Sequence, residues 1–193
     1  MPDKIKVLGI VGSLRKNSYN RLLLLNAKSL LPEDATLEIF DRLGEFPLFN
    51  QDLENDPPQI VKEFKKKIRE SDAILIATPE YNYSIPGVLK NALDWAARPY
   101  GDNPFEGKPV AIMSASIGML GGARAQYHLR QVLVYLNTIT INKPEVFVSF
   151  AHKKFDEKGN LVDEEAKKYI AELLRNLVNT ARLLKHQYGL IRA

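Results

Sequence analysis

Apolar positions change their spacing repeatedly along the chain. Short apolar runs, typical of strands, alternate with longer stretches whose apolar residues recur every three or four positions, as on a helix with one buried face. The runs predict strands at 4–11, 36–40, 72–77 and 108–115, and a last strand at 138–141 and 146–148 that is interrupted around Asn142-Lys143-Pro144. The helical spacing predicts helices at 19–31, 58–70, 86–97, 123–136 and 163–185. The chain is therefore predicted to alternate strand and helix from end to end.

This alternation favours an α/β fold, with a doubly wound parallel sheet and helices on both faces. Runs such as 74–77 are apolar throughout, which fits strands covered on both sides. Five strand–helix units in 193 residues predict the flavodoxin-like order 2-1-3-4-5, in which a ligand sits at the carboxyl ends of the strands, between the first and third. With no linker or repeat, residues 1–193 are expected to form a single domain.

The composition restricts the chemistry. The chain contains no cysteine, which excludes disulfides, thiolate nucleophiles, iron–sulfur ligation and cysteine-based zinc sites. The three histidines, at positions 128, 152 and 186, lack the spacing of metal ligands, so no metal site is predicted. Any redox chemistry would therefore depend on an organic cofactor.

Charge and hydropathy indicate the kind of partner. The net charge of +4 favours anionic small molecules or nucleic acid, but the lysines are mostly dispersed. The run at 65–67 has Glu63 and Glu70 nearby and is interpreted as a solvated helix face, so nucleic acid is not an expected partner. No apolar stretch approaches the roughly 20 residues of a membrane span. A cytoplasmic location without membrane attachment is expected.

The loop after the first strand, Gly12 to Asn20, opens a helix. Ser13 and Ser18 contribute hydroxyls, Arg15 a guanidinium and Asn20 an amide, beside the free N–H groups of a helix start. Such an arrangement suits a phosphate. The loop lacks the glycine–lysine pattern of nucleoside triphosphatases and the three-glycine pattern of dinucleotide sites. The alternative is an ordinary helix start that Ser18 caps, and this loop alone does not decide between the two.

The loop after the third strand, Pro79 to Ser84, places Glu80, Asn82 and two tyrosines on one turn. An isoalloxazine ring needs backbone donors and acceptors along one edge and a flat surface against its face, which a rigid turn with tyrosines could supply. The two loops together suggest a flavin mononucleotide (FMN) site. The alternative is a turn whose tyrosines cover the core, with Ser84 available to cap the next helix. Glu80 is a less attractive general acid, since hydride transfer to flavin requires none.

Two further segments are weaker candidates. The glycine-rich loop 116–122 follows the fourth strand and could wall the same pocket, because glycine permits close backbone approach. The loop is followed by four residues that are either surface groups or contacts for an anionic acceptor or nicotinamide phosphate: Arg124, Tyr127, His128 and Arg130. Trp95 is expected to pack in the core or against another subunit.

The chain resembles the NADPH-dependent FMN reductase family, which includes chromate, quinone and azo-dye reductases. The resemblance is carried by Gly12 to Asn20, by Pro79 to Trp95 and by Gly121-Gly122-Ala123-Arg124, and it extends to about residue 148. It implies a flavodoxin-like fold that binds FMN noncovalently, with NADPH or NADH as co-substrate, in a homodimer or homotetramer. Residues 151–193 carry no family signature.

The resemblance also assigns residues to the site. Around the FMN phosphate it implies Ser13, Arg15, Ser18 and Asn20. Along the isoalloxazine it implies Pro79, Glu80, Tyr81, Asn82, Tyr83 and Ser84, with Ser116 and Gly118 on the neighbouring loop. For the rim of the site, near a subunit interface, the candidates are Arg124, Tyr127 and Glu145.

Three functions follow as hypotheses. The leading one is an FMN-dependent NAD(P)H oxidoreductase that reduces quinones, azo dyes, chromate or free flavin by a ping-pong mechanism, with the flavin carrying the chemistry. The second is a flavodoxin-type electron carrier, although such carriers are typically acidic and this chain is basic. The third is a module that senses an anion or nucleotide without catalysis. A preference for NADPH is hinted only by the basic charge balance.

Overall fold

The computed structural model of the chain describes residues 4–192. The strands are β1 (Ile5–Val11), β2 (Ala35–Phe40), β3 (Ala73–Ala77), β4 (Pro109–Ala115), β5 (Ile139–Thr140) and β6 (Val146–Val148). The helices are α1 (Tyr19–Leu30), α2 (Gln59–Glu70), α3 (Gly87–Ala96), α4 (Ala123–Tyr135) and α5 (Glu164–Arg192). The predicted elements are confirmed with small shifts at their ends, except that α5 runs beyond the predicted end at residue 185.

All strand pairs of the sheet are parallel, and the predicted order is confirmed as β2-β1-β3-β4-β5. The predicted count of five strands needs a correction, since a sixth strand is present. β5 pairs with the start of β4 and β6 pairs with its end, on the same edge. The chain leaves the sheet between them near Pro144, which has no N–H to donate to a strand ladder. The interruption expected there therefore divides the last strand in two.

The core forms two layers, one on each face of the sheet. Successive side chains of β3 point to opposite faces, so Leu75 packs with α1 and α5, whereas Ile74 and Ile76 pack with α2, α3 and α4. Trp95 is a core residue, as expected, and its Nε1 donates to the carbonyl of Pro47 at 2.9 Å. Helix α5 contributes buried residues from Ile170 to Ala181, so this part of it belongs to the core.

The interpretation of residues 65–67 as a solvated face is wrong for Lys65. Only 4% of its side chain is exposed, and its Nζ lies 2.7 Å from a carboxylate oxygen of Asp102. It also donates to the backbone carbonyl of Arg98. A lysine can bury its methylene stem and still reach such partners with its charged end. Within residues 4–192, no helix is long and apolar enough to cross a membrane.

Candidate functional site

The three predicted loops lie together at the carboxyl edge of the sheet, because they follow the adjacent strands β1, β3 and β4. The strand ladder continues into them: Gly12 N donates to Ala77 O at 2.8 Å, and Thr78 N donates to Met113 O at 3.1 Å. A Cβ atom added to Gly12 would lie 2.9 Å from Thr78 Oγ1. Glycine at position 12 therefore permits the close approach of the first two loops.

In the first loop, Ser18 occupies the cap position of α1 but does not cap it. Its backbone is extended, yet its side chain makes no capping hydrogen bond, although the residue is only 3% exposed. The alternative in which Ser18 caps the helix is therefore wrong. Ser13 Oγ accepts a hydrogen bond from Arg15 N at 3.3 Å and lies 3.5 Å from Tyr81 Oη on the second loop. The helix start keeps a nearby hydroxyl that a ligand could use.

The surroundings of this helix start are positively charged. An open cleft of about 530 Å³ lies beside it. Its charged lining residues are Arg15, Lys16, Arg21, Asp41, Arg42 and Glu45. Asp41 pairs with Arg21, and hydrogen bonds from Arg42 hold the pKa of Glu45 below its usual value. Within residues 4–192, no carboxylate lies within 4 Å of the charged nitrogens of Arg15 and Lys16. These two cations make the edge of the loop receptive to an anion.

The amide of Asn20 is engaged with the protein itself. Its Nδ2 donates to Ala115 O at 3.0 Å and its Oδ1 accepts from Ala115 N at 2.9 Å. The residue is 2% exposed. Asn20, which is predicted as a phosphate ligand, fastens the first turn of α1 to the end of β4 through this amide.

The second loop is a tight hairpin that carries two tyrosines into solvent. Tyr81 and Ser84 exchange backbone hydrogen bonds at 2.9 and 3.0 Å, and Asn82 and Tyr83 between them have φ values of 50° and 67°. Two left-handed residues in a row indicate a type I′ turn. Tyr81 is 45% exposed and Tyr83 is 63% exposed, so the alternative in which the tyrosines cover the core is wrong.

Ser84 does not cap α3. The cap position belongs to Pro86, and Ser84 Oγ lies 3.0 Å from Nδ1 of His128 on α4. Pro79 is buried at the base of the hairpin, and its carbonyl accepts from Thr78 Oγ1 at 3.1 Å. Ser84, the residue that closes the hairpin against Tyr81, is thus joined to α4 through His128.

Glu80 binds the start of α4. Its Oε1 accepts from Arg124 Nε at 2.6 Å, and its Oε2 accepts from the backbone N–H groups of Arg124 at 3.1 Å and Ala125 at 3.4 Å. The guanidinium of Arg124 lies 3.7 Å above the ring of Tyr83. Sequence reasoning missed this arrangement, because Glu80 and Arg124 are 44 positions apart and nothing local marks them as partners.

The third loop depends on its glycines. Gly121 and Gly122 have φ values of 58° and 92°, and a Cβ on Gly122 would lie 2.7 Å from Ser114 Cβ. The hydroxyl of Ser116 accepts from Gly118 N at 3.1 Å, which closes a turn at the top of the loop. The loop also exposes the large apolar side chains of Ile117, Met119 and Leu120. The third loop therefore carries an exposed apolar surface.

The predicted rim is brought together only in part. Arg124 and Tyr127 both lie on α4, where Tyr127 is half exposed and its ring centroid is 6.2 Å from that of Phe147. Glu145 lies before β6, beside α5, with its carboxylate 3.5 Å from Lys143 Nζ. Among the described residues, no hydrogen bond or ion pair joins Glu145 to Arg124 or Tyr127.

The sheet order defines a flavodoxin-like protein, and the three loops at its switch point form its candidate ligand site. The sequence profile of the NADPH-dependent FMN reductase family matches residues 5–153. The chain belongs to this family, as the resemblance predicted.

Relatives over nearly the whole chain agree with this assignment. The chain is 50% identical to an NAD(P)H-dependent FMN reductase of Pseudomonas aeruginosa, over 96% of this chain and all of that protein. It is 45% identical to a 2-hydroxy-1,4-benzoquinone reductase of a Burkholderia species, over 86% of this chain and 90% of the relative. Among solved structures, it is similar to a flavoenzyme NAD(P)H:(acceptor) oxidoreductase from Paracoccus denitrificans, with a TM-score of 0.85 and 36% identity over 92% of this chain and 97% of that chain.

These relationships show that the chain is an NAD(P)H-dependent FMN reductase with quinone reductases among its relatives, and that its redox partners are FMN and NADPH or NADH. The enzyme hypothesis is therefore favoured over the electron carrier and the sensing module. The residues present fit FMN. The hydroxyl of Ser18 is not used for capping, Arg15 and Lys16 have no carboxylate partners among the described residues, and exposed tyrosines offer flat surfaces beside the helix start.

Proposed function

We propose that this enzyme passes hydride from NADPH or NADH, by way of bound FMN, to quinones and other small acceptors in a ping-pong sequence. The observation that carries the proposal is the contact between Ser13 and Tyr81. It places a helix start suited to a phosphate next to a hairpin suited to a flat ring. Relatives named as FMN, quinone and benzoquinone reductases support the same chemistry. FMN, when bound, supplies the ability to accept hydride from one substrate and donate it to another.

The protein's part is to bind and orient. Ser13, Arg15 and Ser18, with the first N–H groups of α1, would hold the phosphate. Asn20 would act on the phosphate indirectly, by fixing the position of that helix start against β4. The isoalloxazine would lie along Pro79, Glu80, Tyr81, Asn82, Tyr83 and Ser84, with Ser116 and Gly118 on the neighbouring loop. In this arrangement Glu80 contributes its backbone, since its carboxylate is committed to α4.

The acceptor side of the site is open and partly apolar. Tyr81 and Tyr83 on the second loop and Ile117 and Met119 on the third loop are exposed, and they would flank it on two sides. A flat apolar molecule such as a quinone suits these surfaces. Nicotinamide and acceptor would use the same face of the flavin in turn, which makes the sequence ping-pong. Azo dyes, chromate and free flavin are further acceptors that such an open site would admit.

Three organisational features complete the proposal. The chain, residues 1–193, would act as a single FMN-binding domain. In a homodimer or homotetramer, the subunit boundary would lie near Arg124, Tyr127 and Glu145. Such an assembly could bring Glu145 close to the site of the neighbouring subunit. The cytoplasmic location stays a prediction from the sequence.

The first experiment is an anaerobic absorbance spectrum of the purified protein, loaded with FMN if necessary, before and after NADPH is added. Flavin bands that bleach without a partner protein are expected. The reduced protein is then separated from nucleotide by gel filtration and mixed with benzoquinone. Return of the flavin bands in the absence of nucleotide would demonstrate the second half-reaction on its own and support the ping-pong sequence.

Two outcomes would contradict the proposal. A protein that takes up no FMN would refute the cofactor assignment for these loops. A reduced protein that benzoquinone reoxidises only when nucleotide is present would refute the ping-pong sequence, since a ternary complex would then be required.

A further inference from the structure

The carboxylate of Glu80 is the most enclosed charge at the candidate site. Its side chain is 10% exposed, whereas the side chain of Arg124, its partner, is 43% exposed. The carboxylate receives three hydrogen bonds, from one guanidinium nitrogen and two backbone N–H groups. A shielded carboxylate is stable when its oxygens are satisfied in this way. Its charge is therefore fixed at the base of the hairpin.

The same contacts join the hairpin to α4. Glu80 precedes the hairpin and binds the first turn of α4, where the helix dipole favours an anion. Arg124, in that turn, lays its guanidinium 3.7 Å over the ring of Tyr83. Tyr83 has a φ of 67°, which is unfavourable for a large side chain and persists only when its surroundings hold it. Glu80 and Arg124 thus support a residue that is held in an unfavourable backbone conformation.

We propose that Glu80 is a positioning residue of the flavin site and that the charges of Glu80 and Arg124 shift the reduction potential of bound FMN in opposite directions. This inference rests on the proposed function, because it requires the isoalloxazine to lie along residues 79–84. Glu80 holds Arg124, and Arg124 holds Tyr83. The two charges act on the ring with opposite signs.

The direction of each effect follows from electrostatics. Two-electron reduction at neutral pH adds negative charge to the flavin ring. A nearby carboxylate opposes that change and a nearby guanidinium favours it. Removing the charge of Glu80 should therefore make the potential more positive, and removing the charge of Arg124 should make it more negative. Loss of both should bring the potential back towards that of the original protein.

The test compares three variants: Glu80→Gln, Arg124→Met and the double substitution. Potentials are measured by titration against redox dyes, and dissociation constants are measured for oxidised and reduced FMN. Glu80→Gln should strengthen the binding of reduced relative to oxidised FMN by about fivefold, the order expected for one partly screened charge. Arg124→Met should weaken it by a similar factor. Both single variants should also bind oxidised FMN less tightly than the original protein, since each loosens the hairpin.

The control is Glu54→Gln. Glu54 pairs with Arg98 at 2.7 Å, and the exposures of these two side chains are 15% and 12%. Arg98 follows the far end of α3, about 15 Å along that helix from the hairpin. The same charge is thus removed from a similarly shielded carboxylate that also pairs with an arginine, and the potential should not move. Circular dichroism of each apoprotein checks that the fold is retained.

The outcomes separate the two levels of the proposal. If the original protein binds no FMN, the proposed function fails. If FMN binds and the two single variants move the potential in opposite directions, the inference is supported. Unchanged potentials, or shifts of the same sign in both single variants, would overturn it, because a merely structural loosening of the hairpin has no reason to follow the sign of the charge removed.

Discussion

Asn20 and Ala115 form a closed pair of hydrogen bonds between the first turn of α1 and the last residue of β4. The side-chain amide donates at 3.0 Å and accepts at 2.9 Å, so both backbone groups of Ala115 are satisfied by one buried side chain. The next residue, Ser116, continues the pairing of β4 with β6, since its N donates to the carbonyl of Val148 at 3.0 Å. One asparagine therefore sets the spacing between the helix start proposed for the phosphate and the loop proposed for the flavin wall.

We expect Asn20→Ala to destabilise the apoprotein by about 2 to 4 kcal/mol, because it leaves a buried N–H and a buried carbonyl without partners. Urea unfolding of the apoprotein, followed by circular dichroism, measures this. The control is Asn17→Ala, since Asn17 is exposed in the same loop; its effect should stay within about 0.5 kcal/mol. Equal unfolding midpoints for the two variants would show that the Ala115 contacts contribute little.

We expect Gly122→Ala to destabilise the protein by about 2 to 4 kcal/mol, since it combines an unfavourable φ with overpacking. The φ of Gly122 is 92°, and the new Cβ would lie 2.7 Å from Ser114 Cβ. Gly87→Ala, at the start of α3, is the matched control. A Cβ there meets nothing within 4 Å, so stability should be unchanged or slightly higher. If Gly122→Ala is as stable as the original protein, the third loop can rearrange to accommodate the added side chain. Thermal unfolding distinguishes these results.

A pH-dependent contribution to stability is expected from Asp102. Partial burial opposes its ionisation, but hydrogen bonds from Lys65 and Arg69 outweigh that effect and hold the pKa of the carboxyl below its usual 3.8. Because folding lowers the pKa of Asp102, its contribution to the free energy of unfolding is fully present at pH values above its ordinary pKa. That contribution is lost as the pH falls through the pKa of the folded state. Asp102→Asn should cost about 2 kcal/mol at neutral pH, because it leaves the shielded Lys65 without its carboxylate.

The measurement is urea unfolding between about pH 7 and pH 3. The difference between the original protein and Asp102→Asn should shrink as the pH falls below about 4. Asp56→Asn is the control, because Asp56 also pairs with a lysine, Lys62, but its side chain is 92% exposed. Its effect at neutral pH should be much smaller. A difference for Asp102→Asn that stays constant with pH would show that the stabilisation does not come from the ionised carboxyl.

The fold could be predicted from the sequence because the relevant patterns are local. The spacing of apolar residues within each segment predicts whether it is a strand or a helix. The alternation of strands and helices then restricts the sheet to a few possible strand orders. Even the interruption of the last strand is marked by Pro144. The loops could be located for the same reason, since each directly follows its strand. What those residues contact could not be predicted so well.

The contacts that were missed join residues far apart in sequence. Asn20 meets Ala115 across 95 positions, and Glu80 meets Arg124 across 44. A polar side chain in a loop can face a ligand or a distant backbone group, and its identity alone does not decide which. Lys65 shows the same limit on a helix, because the residue that neutralises it lies in a connection that the helical pattern does not describe. Residue type predicted the candidate site, and tertiary contacts decided which of its side chains remain available to a ligand.

Arg15 should act on the phosphate of FMN and on no other part of the cofactor. It is exposed at the helix start, without a carboxylate partner among the described residues, and a charge-assisted hydrogen bond to phosphate is the interaction open to it. Arg15→Met should therefore raise the dissociation constant for FMN by about 10- to 100-fold and leave that for riboflavin, which lacks the phosphate, unchanged. Fluorescence titration of the apoprotein measures both constants.

Arg21→Met is the control, since Asp41 already engages Arg21 at 3.1 Å, and it should change neither constant more than about threefold. If the affinities for FMN and riboflavin fall together, Arg15 supports the shape of the loop; if neither falls, the phosphate lies elsewhere.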